Sequence, residues 1–322
     1  MPSLGIQSKH RRAPDACLGT LRVTVLAGGP GAEREVSLQS GAAVAAALRR
    51  RGHAVSVCDV RPGELSALDL PADFVFVALH GEFGEDGAVQ AELDRRGLVY
   101  SGTGAAGSRL AMHKVEAKRA FQRCGVPTPS FAAVDRGDVD DEAALFPVPA
   151  VVKPVDSGSS VNVTIARTRP DLRLAARRLV EEAGGALLER YIQGREWTVG
   201  LLGEEALPVC EIRTRREFYD YQAKYVDEDT EYDFDFPAPP GLTERVQRLS
   251  VTAHRALGCD VFSRVDWMID GATNEPYALE VNTIPGFTGH SLLPKAAARV
   301  GVGFDELCER IIELSLSSKR GG

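Results

Sequence analysis

Apolar residues along this chain follow two alternating rhythms. Residues 21–27 form a short, β-branched apolar run, and 54–60 and 74–79 repeat the type. Continuous apolar runs of this length predict buried strands. Between the first two, residues 37–51 space Leu38, Ala42, Val44, Ala45 and Leu48 along one helical face that stops at Gly52. Residues 89–95 predict another helix and Val99-Tyr100 another strand. This strand–helix alternation predicts a small parallel α/β unit.

Beyond it the rhythm changes. A helix-rich link covers 108–125, and strands are predicted at 150–154, 161–166 and 186–190 with a helix at 171–183. This second unit reads as α+β. A third combines strands at 196–202 and 206–212, a long polar segment at 213–241, a helix at 243–257, two more strands around Arg264 and Glu280, and a closing helix at 305–316. The expected fold class is therefore α/β and α+β, in domains 21–103, 104–190 and 191–322 behind a stretch, 1–20, expected to be a disordered extension or a misassigned start.

Composition narrows the classes. The chain has 322 residues, 44% hydrophobic and 26% charged, as in ordinary globular proteins, and its net charge of −7 argues against a general nucleic-acid binder. No apolar run approaches membrane-spanning length, and the basic cluster Lys9-His10-Arg11-Arg12 leads into no apolar segment, so a secretory signal is not expected. The six cysteines are scattered without a C-x-x-C pair, which predicts reduced, mostly buried thiols in a cytoplasmic protein. The histidines lack zinc-binding spacing.

Candidate chemistry concentrates in two strands. Strand residues two apart share a face, so Arg264 projects with Asp266 and Glu280 with Asn282, while Val265, Val281 and Leu279 should turn to a core. Side by side, these strands would set two carboxylates, an amide and a guanidinium on one cleft wall. Oxygen ligands suit Mg²⁺ bridged to phosphates rather than zinc, and an adjacent arginine can steady developing negative charge. Either pair alone would read as an ordinary solvated ion pair. Together, with Pro285-Gly286 ending the second strand sharply, they point to a nucleotide site.

Other segments add weaker signals. The Gly158-Ser159-Ser160 turn can offer N–H groups and hydroxyls to phosphate, or be a plain hairpin. Lys153, closing an apolar strand, needs an anionic partner or a route to solvent, and Lys114 poses the same question. Glu189 and Glu196 flank a hinge where carboxylates can hold an adenine amino group or ribose hydroxyls. Glu33 follows the glycine turn after the first strand, where open α/β sheets bind ligands. His80 opens a glycine-rich loop and is either a ligand contact or a satisfied structural histidine. Residues 219–235, with Lys224-Tyr225 inside, suggest a lid. Ser291 could hold a carboxylate. The G-x-G-x-x-G at 102–107 lacks the acidic residue expected about twenty positions on, and reads as a domain junction and helix start.

Taken in order, GGPGAEREVSLQSG, ALHGEFGEDG, VVKPVDSGSSV, FYDYQAKY, SRVD and LEVNTIPGFTGHSL resemble the D-alanine–D-alanine ligase family of ATP-grasp enzymes, from about Arg22 to Leu316. The resemblance implies an ATP-grasp fold: an N-terminal parallel α/β domain plus two ATP-grasp subdomains. It implies that ATP is bound by Lys114, Lys153, Ser160, Glu189, Arg190, Tyr191, Ile192 and Glu196, and that Asp266, Glu280 and Asn282 hold two Mg²⁺, with Mn²⁺ as a substitute. Glu33 would hold the first D-alanine's amino group in a trio with Ser159 and Tyr225, with His80 nearby. Arg264 and Gly286 would form the oxyanion site, and Ser291, Leu292 and Lys224 would receive the second D-alanine's carboxylate. A cytoplasmic homodimer serving peptidoglycan precursor synthesis is also implied.

Several positions depart from the family pattern. Glu82-Phe83 replaces a basic residue and Gly, His113 a usual Asp, and Asp156-Ser157 a frequent Arg-Glu. Ile284, Phe287 and Gly289 replace Ser, Met and Ser, which raises the expectation of an altered second-substrate pocket. The alternatives are a ligase making D-alanyl-D-lactate, against which Tyr225 argues, a ligase of other amino acids, and a non-catalytic nucleotide-binding protein, against which the retained Arg264, Asp266, Glu280 and Asn282 argue.

Overall fold

The computed structural model describes residues 19–158, 162–215 and 229–318. The first sheet is parallel, with β1 (Arg22–Gly28) between β2 (Ala54–Val60) and β3 (Phe74–Val77), as the alternating rhythm predicts. Helix α1 (Arg34–Arg50) covers it with Val44, Ala45 and Leu48. Gly41 permits the close approach, because a Cβ there would come within 2.5 Å of the Ala27 Cβ. Strand β3 stops at Val77, earlier than the apolar run suggests: Ala78 and Leu79 are buried without continuing the strand. Helix α2 (Ala88–Arg95) follows the glycine-rich loop.

The predicted helical link is two helices, α3 (Ala105–Met112) and α4 (Lys114–Arg123). His113 breaks them with extended backbone and caps α4, its Nδ1 accepting the Glu116 N–H at 3.3 Å. An imidazole nitrogen thus does the capping expected of an aspartate. The second sheet is antiparallel, ordered β4 (Phe131–Val134), β7 (Ala186–Arg190), β5 (Ala150–Lys153) and β6 (Thr164–Ala166). It is backed by α5 (Val139–Leu145) and α6 (Arg169–Ala183). β4 and α5 escape sequence reading because each is too short to show a period.

The third sheet runs β11 (Glu231–Asp233), β10 (Cys210–Arg213), β8 (Gly194–Leu202), β12 (Phe262–Asp270) and β13 (Pro276–Asn282), with β9 (Glu205–Ala206) on β8. One strand was expected over 206–212. Two are found, because Pro208 between them has no N–H for the ladder. On one face Trp197, Val199, Val265, Trp267 and Ile269 pack under α7 (Leu242–Ala256), with Trp197 and Trp267 directly opposite. The alternate residues Glu196, Thr198, Arg264, Asp266 and Met268 share the other face. Helices α8 (Leu292–Arg299) and α9 (Phe304–Ser318) complete the chain. Of the five described cysteines, all unbridged, only Cys210 and Cys308 are fully buried, fewer than expected. Among the described residues, no helix is long and apolar enough to cross a membrane.

Candidate active site

Strands β12 and β13 pair antiparallel with Arg264 opposite Asn282 and Asp266 opposite Glu280, so the wall expected from the sequence exists. Asp266 is its centre. Its Oδ1 accepts from Arg264 Nε at 2.9 Å and Thr198 Oγ1 at 2.6 Å, and its Oδ2 from the other Arg264 nitrogen and from Asn282 Nδ2, both at 2.8 Å. One expectation fails: Leu279 is not a core residue but lines the cleft. The register shifts between Asp266 and Trp267, so Trp267 faces Ala278, and this bulge gives Ala278 the core position.

The second and third sheets enclose a cavity of about 660 Å³. Lys114, Lys153, Glu189, Arg190, Tyr191, Ile192, Glu196, Asp266 and Glu280 all line it, as the sequence reading grouped them. Lys153 finds the anionic partner it requires: its Nζ lies 3.2 Å from Glu189 Oε1 and 3.1 Å from Oε2. Lys114 Nζ donates to the Ser157 carbonyl and lies 3.8 Å from Glu280. The sequence reading missed Lys118, whose Nζ is 2.7 Å from Glu189 Oε2. Its position four residues after Lys114 on one helical face was the available signal. Burial pulls Lys118 down to about 8. Burial also pushes the Glu189 carboxyl up, but the two lysines more than offset this and hold it below its ordinary value.

A second cavity of about 320 Å³ shares Lys114, Gly158 and Glu280 with the first. Glu33, His80, Glu85, Arg264, Asn282, Gly286, Ser291 and Leu292 line it, so the two cavities meet at the charged wall. Glu33 Oε2 packs where a Cβ on Gly81 would stand, at 2.5 Å, and 3.6 Å from the corresponding point on Gly158. Only glycine permits that approach at Gly81, whose φ is also +67°.

His80 is satisfied as well as placed at the cavity. Its Nδ1 donates to the Ile284 carbonyl at 2.9 Å, so its Nε2 accepts from Ser40 Oγ, also at 2.9 Å, and burial lowers its pKa. The Ser40 oxygen in turn accepts the Phe287 N–H at 3.2 Å. Glu85, assigned no role from sequence, accepts the Ile284 N–H at 3.1 Å and the Gly81 N–H at 2.8 Å. Burial and the Glu33 charge push Glu85 up to about 8. His80 and Glu85 therefore grip both backbone groups of Ile284 and hold the turn that presents Gly286.

Ser291 is the N-cap residue of α8, and its hydroxyl accepts the Thr288 N–H at 3.1 Å. With Leu292 at the first turn, this corner brings the N-terminus of α8, its positive dipole end, to the wall of the second cavity, a favourable place for a carboxylate. Ser159, Ser160, Lys224 and Tyr225 lie outside the described residues.

Five of the departures line cavities: Glu82, His113, Asp156 and Ser157 border a third one beside Glu33 and Gly158, Ser157 also borders the first, and Ile284 borders the second, whereas Phe83 and Phe287 are buried away from all three. Phe287, expected to reshape the pocket, is 1% exposed and packs among Phe76, Phe262 and Phe304 at ring-centroid distances of 5.7, 5.9 and 5.6 Å. Phe83 occupies the left-handed region at φ 69°, a conformation costing about 1–2 kcal/mol for a non-glycine residue, offset by burying its ring beside Leu79 and Val89.

Two antiparallel sheets closed over a cavity lined with lysines and carboxylates, with a parallel α/β unit alongside, define an ATP-grasp enzyme. The family described as "D-ala D-ala ligase C-terminus" matches residues 120–313. A D-alanine–D-alanine ligase from Anaeromyxobacter sp. (strain Fw109-5) is 43% identical over 299 residues, 91% of this chain and 96% of that one. Another, from Pelobacter propionicus, is 44% identical over 306 residues, covering 93% and 98%. The crystal structure of D-alanine–D-alanine ligase from Bacillus anthracis complexed with ATP superposes with a TM-score of 0.80 at 31% identity, covering 94% of this chain and all (100%) of that one. This chain belongs to the D-alanine–D-alanine ligase family.

Proposed function

We propose that this ligase joins two D-alanines to D-alanyl-D-alanine at the expense of ATP. The observation that carries the reading is the meeting of the two cavities at Lys114, Gly158 and Glu280, which lets a nucleotide phosphate in one face an amino acid in the other. The similar B. anthracis ligase that binds ATP supports the nucleotide assignment.

In this reading adenine lies against Arg190, Tyr191 and Ile192, with Glu189 and Glu196 as its polar contacts, and Lys114 and Lys153 hold the phosphates with Ser160. The wall also fits Mg²⁺. Among the described residues no three His, Cys, Asp or Glu side chains form a self-contained cage. Asp266, Glu280 and Asn282 would instead leave coordination positions for phosphate oxygens and waters, as Mg²⁺ prefers, and Mn²⁺ would be accepted for the same reason. When bound, the metal neutralises phosphate charge.

Glu33 holds the first D-alanine's ammonium with Ser159 and Tyr225, and His80 shapes that pocket. The substrate carboxylate oxygen attacks the γ-phosphorus, forming an acyl phosphate and releasing ADP. Ser291, Leu292 and Lys224 receive the second D-alanine's carboxylate. Its deprotonated amine attacks the acyl carbon, and Arg264 with the Gly286 N–H meets the oxyanion of the tetrahedral intermediate. Phosphate then leaves as the peptide bond forms. The domain limits 21–103, 104–190 and 191–322, a homodimer and a cytoplasmic location belong to the same proposal, supported by the family resemblance and, for location, by the unbridged cysteines.

Oxygen labelling tests it. With ¹⁸O in the D-alanine carboxylate, the label is expected in the released phosphate. Phosphate released without label under turnover would contradict an acyl-phosphate intermediate.

A further inference from the structure

Lys118 belongs to none of the sequence motifs, yet at 0% exposure it is the most deeply buried cation among the described residues. It does not line the nucleotide cavity. Its ammonium is fully engaged beneath the floor: 2.7 Å from Glu189 Oε2, 2.7 Å from Thr128 Oγ1, and 5.9 Å from the Phe131 ring centroid. The Thr128 hydroxyl in turn donates a hydrogen bond to the Ala278 carbonyl at 2.8 Å, which anchors the network to β13, two residues from Glu280. Lys153 shares the same carboxylate at 3.1 Å but lies at the cavity surface.

These two lysines are therefore not equivalent. Glu189 is 1% exposed, and a buried carboxylate that loses its last counter-ion is strongly penalised. Were Lys153 its only partner, drawing that ammonium toward a phosphate would strand the charge. With Lys118 fixed in place, the carboxylate stays paired when Lys153 departs.

We propose that Lys118 is a positioning residue: it remains with Glu189 as a permanent counter-ion and so frees Lys153 to move onto a nucleotide phosphate. This rests on the reading of the cleft as an ATP site. Loss of Lys118 should then weaken the recognition of phosphates rather than of adenosine.

Calorimetric titration with adenosine, AMP and ADP, with Mg²⁺ present, separates the possibilities without turnover. Wild-type protein should bind ADP more tightly than adenosine. In Lys118→Met that advantage should shrink about tenfold while adenosine affinity changes less than about twofold, and Lys118→Arg should keep the advantage. Adding Lys118→Met to Glu189→Gln should change nothing further, since no carboxylate then competes for Lys153. Thr128→Val, which loosens the anchor while keeping every charge, carries the same test if Lys118→Met does not fold, with an expected loss of about threefold. Equal losses for adenosine and ADP, an undiminished advantage in these variants, or a full loss in the Glu189→Gln background would overturn the proposal. Wild-type protein that binds none of the three would overturn the ATP reading and this proposal with it.

Discussion

Asp266 shows how much a single side chain organises here. Four hydrogen bonds reach its two oxygens, from Arg264 twice, Thr198 and Asn282, so the arginine proposed for the oxyanion site and the proposed metal ligand Asn282 are both held by one carboxylate. Arg264 grips it through a two-pronged fork that lysine cannot reproduce. Arg264→Lys is expected to lower kcat by about 100-fold, the usual scale for losing one oxyanion donor, with ADP affinity changed far less. Steady-state phosphate release beside ADP titration checks this, and parallel losses in both would assign the residue to nucleotide binding instead. Phe287 makes the contrary case. Its ring fills an aromatic core, so Phe287→Ala should cost about 3–5 kcal/mol in denaturant unfolding. Phe287→Leu should leave the preference among second D-amino acids unaltered, and a switch in that preference would return the residue to the pocket.

At the level of elements, legibility followed periodicity. The alternation around Val265 let its core face and the opposite face of Arg264 and Asp266 be read from the chain, whereas the packing of Trp197, Val199 and Trp267 under α7 appears only in the fold. The bulge that sends Leu279 to the cleft could not be read, because register is a property of two strands rather than of one. Likewise Glu85 and Ser40 act through partners distant in sequence, and for Lys118 the spacing from Lys114 was visible while its partner Glu189 was not. Helix α7 also carries a pH-sensitive contact. His254 Nδ1 lies 2.7 Å from Ser263 Oγ on β12, and burial pulls the imidazole down to about 4. Its folded pKa is below the unfolded value near 6.5, so as pH falls from 6.5 toward 4 the unfolded chain takes up the proton first and stability declines. The decline attributable to this residue should total about 3 kcal/mol. Unfolding curves for His254→Gln against wild type should lose that slope, and an unchanged slope would show that His254 titrates freely in the fold.

For the molecule as a whole, three sheets supply three separate services. The parallel sheet brings Glu33 and the loop from His80 to Glu85; the central antiparallel sheet brings Lys153 and Glu189; the third brings Arg264, Asp266, Glu280 and Asn282. No one sheet holds a complete site, and the reaction proposed here needs all three at the junction of the two cavities. Incubating the purified chain with ATP, Mg²⁺ and a panel of D-amino acids, singly and in pairs, and reading products by mass tests that claim most directly. D-alanine alone should yield D-alanyl-D-alanine with one ADP and one phosphate per dipeptide, and nothing without Mg²⁺. ADP formed with no dipeptide, or a dipeptide from other D-amino acids in preference to D-alanine, would contradict it.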